Sequence, residues 1–337
     1  DGATLSIIEG DGTTPVLLSN IPNATLNTGT DNEIVPGIVI KGTSGNYITT
    51  KSTKVNLQMD MDSNLDNKND RYLNSEFSSS SVTLMPGKTI SGSGALTTAD
   101  TSAEKVEKTK VAIAQSNVGN SRSAVKLTNK GRINFTGTGM AGIVGEYSEI
   151  NNESVINVTG TDSTGIISAN GSLAINNGTI NIGNGGTGLA GINYLGVTAT
   201  PASSIPTYGN QSIDLVHNGK IISTGNTAAI GVLAIDLKSV VDKNGTTLNI
   251  TNANAAKITL GSNSIIDVSS AAGGVGVYSK GLLRNGLIAK VTDNGSKIKL
   301  NTNGIGLYLD GTELTAAAGS IESVNNTTAK GIYTDSN

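Results

Sequence analysis

The stretch "NNGTINIGNGGTGLAGINYLG" (176–196) contains three glycines with the spacing of a dinucleotide-binding fingerprint, Gly183, Gly185 and Gly188. Such glycines hold a pyrophosphate only when a helix begins directly after them, because the helix N-terminus supplies the N–H groups that face the ligand. Here they are followed by residues 189–192 (LAGI), which continue an alternating pattern typical of a strand. We therefore interpret the glycines as one copy of a repeat and predict no cofactor.

His217 is the single histidine of the chain, so a Ser-His-Asp triad or a histidine-ligated metal would need it. It stands before Asn218-Gly219, at the point where other copies of the repeat place Asn or Thr before a corner. We interpret it as an ordinary repeat position and predict no catalytic residue.

A calcium loop is suggested by four alternating residues with oxygen ligands, Asp60, Asp62, Asn64 and Asp66. However, Leu65 occupies the place where the sharp turn of such a loop needs Gly, and Arg71 occupies the place of the bidentate Glu. We favour a solvated polar loop and predict no metal site.

Two carboxylates near the end of the chain give the best enzymatic interpretation. Asp310 and Asp335 each follow a repeat glycine by four residues, so in stacked repeats their carboxyls would lie about 5 Å apart, near the spacing of a retaining glycosidase. Stacking alone produces this proximity, and both residues lie in turn-like sequence. We therefore favour a protein without enzymatic activity.

Three tyrosines recur at one repeat position, two residues after the glycine: Tyr278, Tyr308 and Tyr333. Alternation with apolar neighbours predicts that they point outward. They form a candidate aromatic stripe that could contact a sugar ring or a protein. The alternative is that stacked tyrosines stabilise the fold through cross-strand contacts.

The composition excludes several classes of protein. Aromatic residues make up 3% of the 337 residues and Gly contributes 43, which argues against a globular core built on large rings. The net charge is −3, so we expect no nucleic-acid partner. The chain has no cysteine and no apolar run long enough for a membrane helix, so we expect no direct membrane insertion of this segment.

A repeat of about two dozen residues is the strongest signal in the chain. The anchors Ile133, Ile156 and Ile180 are separated by 23 and 24 residues, and Ile298 and Ile321 by 23. Each copy contains short alternating strands bounded by Asn-Gly, Thr-Gly or Gly-Gly corners, with no helical spacing. This predicts an all-β fold, a right-handed parallel β-helix with loop excursions, in which stacking buries the Ile and Val faces and lets equivalent Asn residues form ladders.

The repeat divides the chain in two. Residues 1–120 are predicted to be an N-terminal part of the β-helix with long polar loops, and residues 121–337 to be regular repeats, an excerpt of a longer chain. In the first part, "GIVI" (37–40) and "VAIAQ" (111–115) resemble the repeat strands, and Thr101 with Glu104 has the spacing of a capping box for a short helix.

Loops on a rigid scaffold are where contact residues concentrate. The first candidate is residues 60–81, with the charged and aromatic residues Asp66, Lys68, Asp70, Arg71 and Tyr72. The second is the proline-containing stretch 195–212, which includes Tyr208 and interrupts the repeat. The interval between Gly231 and Gly276 is also too long for one repeat and holds either an extra coil or an excursion.

The segments "GVGVYSKG" (274–281), "GIGLYLDG" (304–311) and "GIYTDS" (331–336) resemble the passenger-domain repeats of type V autotransporter adhesins. The likeness is closest to the large fusobacterial outer-membrane adhesins (RadD-type group) and covers residues 125–337. It implies a passenger exported across the outer membrane by its own C-terminal β-barrel and displayed on the bacterial cell surface. The family has no shared catalytic motif to transfer.

The resemblance implies attachment to a host-cell receptor or to a protein or glycan on another bacterium. Two alternatives remain open. One is a polysaccharide-active β-helical hydrolase, and the other is a structural spacer of a giant passenger.

Overall fold

Strands form nearly all the regular structure of the protein. The computed structural model describes residues 4–8, 15–17, 25–27, 38–42, 45–58, 76–84, 86–92, 111–117, 121–169, 171–193, 212–236, 239–241, 247–249, 255–281, 288–325 and 328–335. In these ranges the one helical element is a 3-10 turn at Arg122–Ala124. The all-β prediction is confirmed.

Five strands at the N-terminus pair antiparallel. Only residues 43 and 44 separate the last two of them, and a connection that short joins antiparallel neighbours. Ile38–Gly42 therefore belongs to an antiparallel sheet, so the expectation that "GIVI" is a strand of the parallel repeat is wrong. The five strands are β1 (Thr4–Ile8), β2 (Pro15–Leu17), β3 (Thr25–Asn27), β4 (Ile38–Gly42) and β5 (Gly45–Gln58).

From β6 onward the strands recur in sets of three, and each strand pairs parallel with the equivalent strand of the next set. We call one set a coil, the whole arrangement the parallel stack, and its three series of paired strands ladders A, B and C. β6 joins the two parts, because it pairs antiparallel with β5 and parallel with β9. Ladder C contains β6 (Glu76–Leu84), β9 (Val125–Asn129), β12 (Glu149–Asn152), β15 (Leu173–Asn176), β18 (Asp214–His217) and β23 (Lys257–Leu260).

Ladders A and B follow ladder C within each coil. Ladder A contains β7 (Thr89–Gly92), β10 (Arg132–Phe135), β13 (Val155–Val158), β16 (Thr179–Ile182), β19 (Lys220–Ser223) and β24 (Ile265–Asp267). Ladder B contains β8 (Val111–Asn117), β11 (Ala141–Glu146), β14 (Thr164–Ala169), β17 (Thr187–Asn193), β20 (Ile230–Asp236), β25 (Val275–Lys280), β27 (Ile305–Asp310) and β29 (Lys330–Asp335). The long strands β26 (Ala289–Leu300) and β28 (Thr312–Ser323) serve ladder C with their first halves and ladder A with their second halves.

The register is the one that the isoleucine spacing predicts. Ile133 lies opposite Ile156, Ile156 opposite Ile180, and Ile298 opposite Ile321. Along the inner side of ladder A, the isoleucines from Ile133 to Ile298 are fully buried. Each contributes on the order of 1.5–3 kcal/mol through burial, which a single coil could not obtain alone.

The repeat glycine of ladder B brings neighbouring coils into close contact. A Cβ atom at Gly165 would lie 2.5 Å from the carbonyl oxygen of Gly188, and the same is true of Gly142 against Gly165. A side chain there would collide with the next coil, which explains why the second residue of each ladder B strand from β11 to β27 is glycine; in β8 the equivalent residue is Ala112.

Long intervals in the sequence add no coils to the stack. β18 pairs directly with β15, and β20 pairs directly with β17, so the chain between β17 and β18 adds no coil. This agrees with the excursion predicted at 195–212. The next interval is also an excursion, because β23 pairs with β18 and β25 with β20. It contains a separate antiparallel hairpin of β21 (Ser239–Val241) and β22 (Thr247–Asn249).

Candidate functional site

Three long connections leave the parallel stack at one corner, whereas a fourth, residues 93–110, joins β7 to β8 at the corner between ladders A and B. Residues 194–211, 237–256 and 282–287 each connect a ladder B strand to the ladder C strand that follows it. The three ladder B strands concerned, β17, β20 and β25, are consecutive rungs, which lie about 4.8 Å apart. We call this edge the BC corner. It brings segments that are distant in sequence to one side of the stack.

Arg122 ties the BC corners of several coils together. Its guanidinium donates hydrogen bonds to the carbonyl oxygens of Gly171 (3.2 Å) and Ser212 (3.1 Å) and forms an ion pair with Asp214 at 2.7 Å. Gly171 and Ser212 stand just before strands of later coils, so the side chain anchors the chain where it re-enters the stack after residue 211. The sequence contained no signal for this role, because the contacts join residues separated by 49, 90 and 92 positions.

The three repeat tyrosines form a stacked column on the outer side of ladder B. Tyr278 and Tyr308 lie opposite each other with ring centroids 4.7 Å apart and planes 8° apart. Tyr308 and Tyr333 follow at 5.0 Å and 27°. All three are half-buried, whereas Val277 is buried on the inner side. We call these residues the tyrosine ladder.

Stacking decides which ring surfaces are available for contacts. Both faces of Tyr308 are covered by its neighbours, so the central ring presents its edge and hydroxyl to solvent. Sugar rings pack on aromatic faces, whereas ring edges favour contact with another π face or with protein groups. The ladder is therefore better arranged for stabilising the stack and for edge contacts than for sugar stacking along its length.

The charges beside the tyrosine ladder are arranged in register. Lys280, Asp310 and Asp335 occupy equivalent positions in successive coils, and the Nζ atom of Lys280 lies 3.2 Å from Oδ2 of Asp310. The ion pair with Asp310 raises the pKa of Lys280. The pKa of the Tyr308 hydroxyl is also raised, first by desolvation and then by Tyr278 and Asp335.

The register places Asp310 and Asp335 on neighbouring coils, as expected. Asp310 is also engaged by the Lys280 ammonium. The same kind of contact between coils recurs elsewhere, as in Lys126–Glu149 at 3.6 Å. The geometry therefore has an ordinary structural explanation in repeated ion pairs between coils.

His217 lies in the core and not on a catalytic surface. It is completely buried and continues a column of buried asparagines. Burial lowers its pKa to about 4, against the opposing effect of a hydrogen bond to the carbonyl of Ile265. The interpretation as a repeat position agrees with this placement.

The glycines of the fingerprint-like motif lead into a strand. β17 begins at Thr187, and a Cβ atom at Gly188 would lie 2.6 Å from the carbonyl oxygen of Gly231 in the next coil. No helix N-terminus follows these glycines, so they cannot cradle a phosphate in the manner of the dinucleotide fingerprint.

Several candidate residues lie outside the described part of the chain. They include the calcium-like residues, the capping-box residues Thr101 and Glu104, and the loop residues Asp66, Lys68, Asp70, Arg71, Tyr72 and Tyr208.

No family model matches the chain, and neither a curated protein nor a solved structure does. Within the described ranges, no group of three or more His, Asp or Glu side chains is arranged to hold a metal ion. The same residues include no helix with the length and apolar character needed to cross a membrane.

Proposed function

We propose that the chain is a segment of a bacterial cell-surface adhesin, the passenger of an autotransporter exported across the outer membrane. In this proposal the parallel stack is a right-handed β-helix, the hand that parallel strand connections adopt in about 98% of cases. Its excursions contact a host-cell receptor or a protein or glycan on another bacterium, and the protein has no enzymatic activity.

The clustering of excursions at the BC corner carries this proposal. Three consecutive coils of ladder B end in excursions at that edge. A stack that served only as a spacer gains nothing from placing three insertions in consecutive coils at one corner, whereas a binding surface built from loops on a rigid scaffold can combine such neighbours. Arg122 supports the arrangement, because it anchors the point where one excursion ends.

The charge distribution is consistent with a protein or glycan partner. Lysines on the outer faces pair with carboxylates of the next coil, as in Lys290–Glu313 at 3.5 Å and Lys297–Glu322 at 2.9 Å. Among the described strands such pairing leaves no basic stripe, and the net charge of the chain is −3, so a nucleic-acid partner is not part of the proposal.

The experiment compares loop replacements in the full chain. One variant replaces residues 196–209 by a short Gly-Ser linker, and a second replaces residues 239–249, the neighbouring excursion at the same corner. A third removes residues 61–72, which lie before β6. Binding of each purified variant to host epithelial cells and to partner bacteria is measured after far-UV circular dichroism and thermal melting confirm an intact fold.

We expect at least one of the two BC-corner variants to lose ten-fold or more in cell binding while its melting temperature is unchanged. Unchanged binding by all three folded variants would favour the structural spacer instead. Release of reducing sugar from host or bacterial glycans by the intact protein, abolished in Asp310→Asn, would favour the hydrolase.

A further inference from the structure

A column of buried side-chain amides runs through ladder C at the corner before ladder A. Asn129 donates from Nδ2 to Oδ1 of Asn152 at 2.8 Å, and Asn152 donates in the same way to Asn176 at 2.8 Å. Asn176 donates to Nδ1 of His217 at 3.1 Å. All four side chains are completely buried. We call this column the inner amide ladder.

The inner amide ladder has a second set of bonds to the backbone of the following coil. Asn129 donates to the carbonyl oxygen of Val155 at 3.3 Å, and Asn176 donates to that of Lys220 at 3.4 Å. Both acceptors are the first residues of ladder A strands. His217 makes the equivalent contact, from Nε2 to the carbonyl oxygen of Ile265 at 3.0 Å, and Ile265 is likewise the first residue of β24.

His217 therefore reproduces both roles of an asparagine amide. Its Nδ1 accepts where Oδ1 of an asparagine accepts, and its Nε2–H donates where Nδ2–H donates. The two neighbours assign one tautomer, because an amide N–H faces Nδ1 and a carbonyl faces Nε2. Neutral His217 thus fits the ladder, and it is the only one of the four side chains that can take up a proton as the solution becomes acidic.

A protonated ring would not fit the same bonds. With a hydrogen on Nδ1, the ring would point a donor at the NH2 group of Asn176. To remove this donor–donor contact, the amide of Asn176 would have to rotate by 180°. The amides of Asn152 and Asn129 would then have to rotate as well, because each amide in the ladder accepts through its oxygen from the preceding one. Turning Asn176 or Asn129 would place an oxygen against the carbonyl of Lys220 or Val155, a repulsive contact. The hydrogen bonds of all three asparagine amides therefore oppose protonation of His217.

No charged group compensates for a proton at this position. The strands packed around His217 are β15, β19, β23 and β24, in addition to its own strand β18. Their charged residues occupy outward positions of the alternation: Asp214, Lys220, Lys257 and Asp267. The shift in pKa to about 4 has burial as its main cause, and the Ile265 carbonyl opposes it only in part.

We propose that His217 is an acid-labile rung of the parallel stack: its protonation breaks the inner amide ladder and loosens the contact between β15 and β18. This contact lies at the coil where the chain returns after residues 194–211, and Asp214, which Arg122 anchors, begins β18. Exposure to acid would then loosen β18 from β15 before the rest of the stack unfolds. The inference does not depend on the proposed adhesin function.

The sign of the effect follows from linkage. The pKa of His217 in the folded protein, about 4, is below its ordinary value of 6.5. Its stabilising contribution is therefore fully present above pH 6.5 and is lost as the pH falls toward 4. For these two values the folding equilibrium constant falls by about 60-fold between pH 7 and pH 4.5 through this residue alone.

The first test is the titration of His217 by NMR in the unmodified protein. Because the chain contains one histidine, its ring signals need no assignment. We expect the ring to remain neutral down to about pH 4. Titration near 6.5 in the folded protein would overturn the proposal without any variant.

The second test uses His217→Asn, which keeps an acceptor and a donor in the ladder but cannot be protonated in this range. We expect the urea-derived unfolding constant of the native protein to rise about 60-fold more between pH 7 and pH 4.5 than that of the variant. Hydrogen exchange should show the β18 amides losing protection first. His217→Gln serves if the asparagine variant does not fold. An equal pH dependence in the native protein and the folded variant would refute the proposal.

Discussion

The backbone of Gly188 packs so closely against Ile221 that a Cβ atom at Gly188 would lie 2.6 Å from the Cγ2 methyl of that isoleucine. The carbonyl oxygen of Gly231 is equally near on the side of the next coil. We expect Gly188→Ala to destabilise the protein by about 2–3 kcal/mol, because neither neighbour is the far end of a flexible side chain.

The control for this substitution is Gly331→Ala. Gly331 occupies the same repeat position in the last described coil, and nothing lies within 4 Å of where its Cβ would be. Its free energy of unfolding in urea should change by less than about 0.5 kcal/mol. Similar losses in both variants would show that close packing between coils is not what the glycine provides.

Breaking the inner amide ladder in its middle should be costly. Asn152→Ala leaves one N–H of the Asn129 amide and the Oδ1 atom of Asn176 buried without their partners. We expect a loss of about 2–4 kcal/mol, since each unsatisfied buried group costs about 1–3 kcal/mol. The measurement is the urea midpoint at pH 7.

The adjacent Asn151 offers a matched comparison. It belongs to an exposed amide column in which Asn177 donates to it at 3.1 Å and Asn218 donates to Asn177 at 3.0 Å. Water can replace these bonds, so Asn151→Ala should cost under about 0.5 kcal/mol. If the two alanine variants were equally stable, burial of the ladder would not be the source of its strength.

One buried hydroxyl weakens the fold. The Oγ atom of Ser168 has no hydrogen-bond partner in the core, and the residues opposite it in the neighbouring coils are Gly145 and Gly191. Ser168→Ala should therefore stabilise the protein by about 1 kcal/mol, because an alanine fits among the small residues and removes the unpaired group.

Ser172→Ala is the matched control, and its expected change in stability has the opposite sign. The Ser172 hydroxyl donates to the carbonyl oxygen of Ala169 at 2.5 Å and accepts from the N–H of Ser148 at 3.0 Å. Its removal should lower stability by about 1–2 kcal/mol. A loss of stability in Ser168→Ala, measured by thermal melting beside this variant, would mean that the Ser168 hydroxyl has a favourable partner in solution.

The central ring of the tyrosine ladder should contribute mainly to stability. Tyr308→Ala removes two stacked contacts, each worth about 0.5–1.5 kcal/mol, so we expect a loss of about 1–3 kcal/mol. Tyr333→Ala removes one such contact and should cost about half as much. Binding to cells, measured at a temperature where both variants are folded, should be unchanged.

Tyr308→Phe separates the ring from its hydroxyl. Stacking persists in this variant, so its melting temperature should match that of the unmodified protein. A clear loss of cell binding in Tyr308→Phe would assign a contact role to the hydroxyl and contradict a purely structural ladder.

Much of the parallel stack could be predicted because its register depends on local residue types. Isoleucines at intervals of 23 and 24 residues lie opposite one another in paired strands. The stretch "VAIAQ" forms part of β8, which pairs parallel with β11 in ladder B. The outward position of the three tyrosines followed from simple alternation. The ladder A isoleucine and the alternation of inward and outward residues recur from coil to coil, so several weak local signals reinforce one another.

Other features depend on contacts that no local pattern encodes. The antiparallel pairing of β4 resulted from a two-residue connection, although its residue types match those of the repeat. The role of Arg122 required knowledge of which corners meet in space. His217 could be assigned to a repeat position, but its equivalence to an asparagine amide became visible only from the positions of its two nitrogens.

The inner amide ladder also shows how the stack tolerates changes in chain length. Asn152 and Asn176 are 24 residues apart, whereas Asn176 and His217 are 41 apart, yet the corresponding bonds are 2.8 and 3.1 Å long. Added sequence at the BC corner therefore does not change the spacing between successive coils. A foreign domain or epitope whose termini lie close together could be spliced between Asn193 and Ser212 without disturbing the rungs on either side, which makes this edge a natural site for engineering multivalent display.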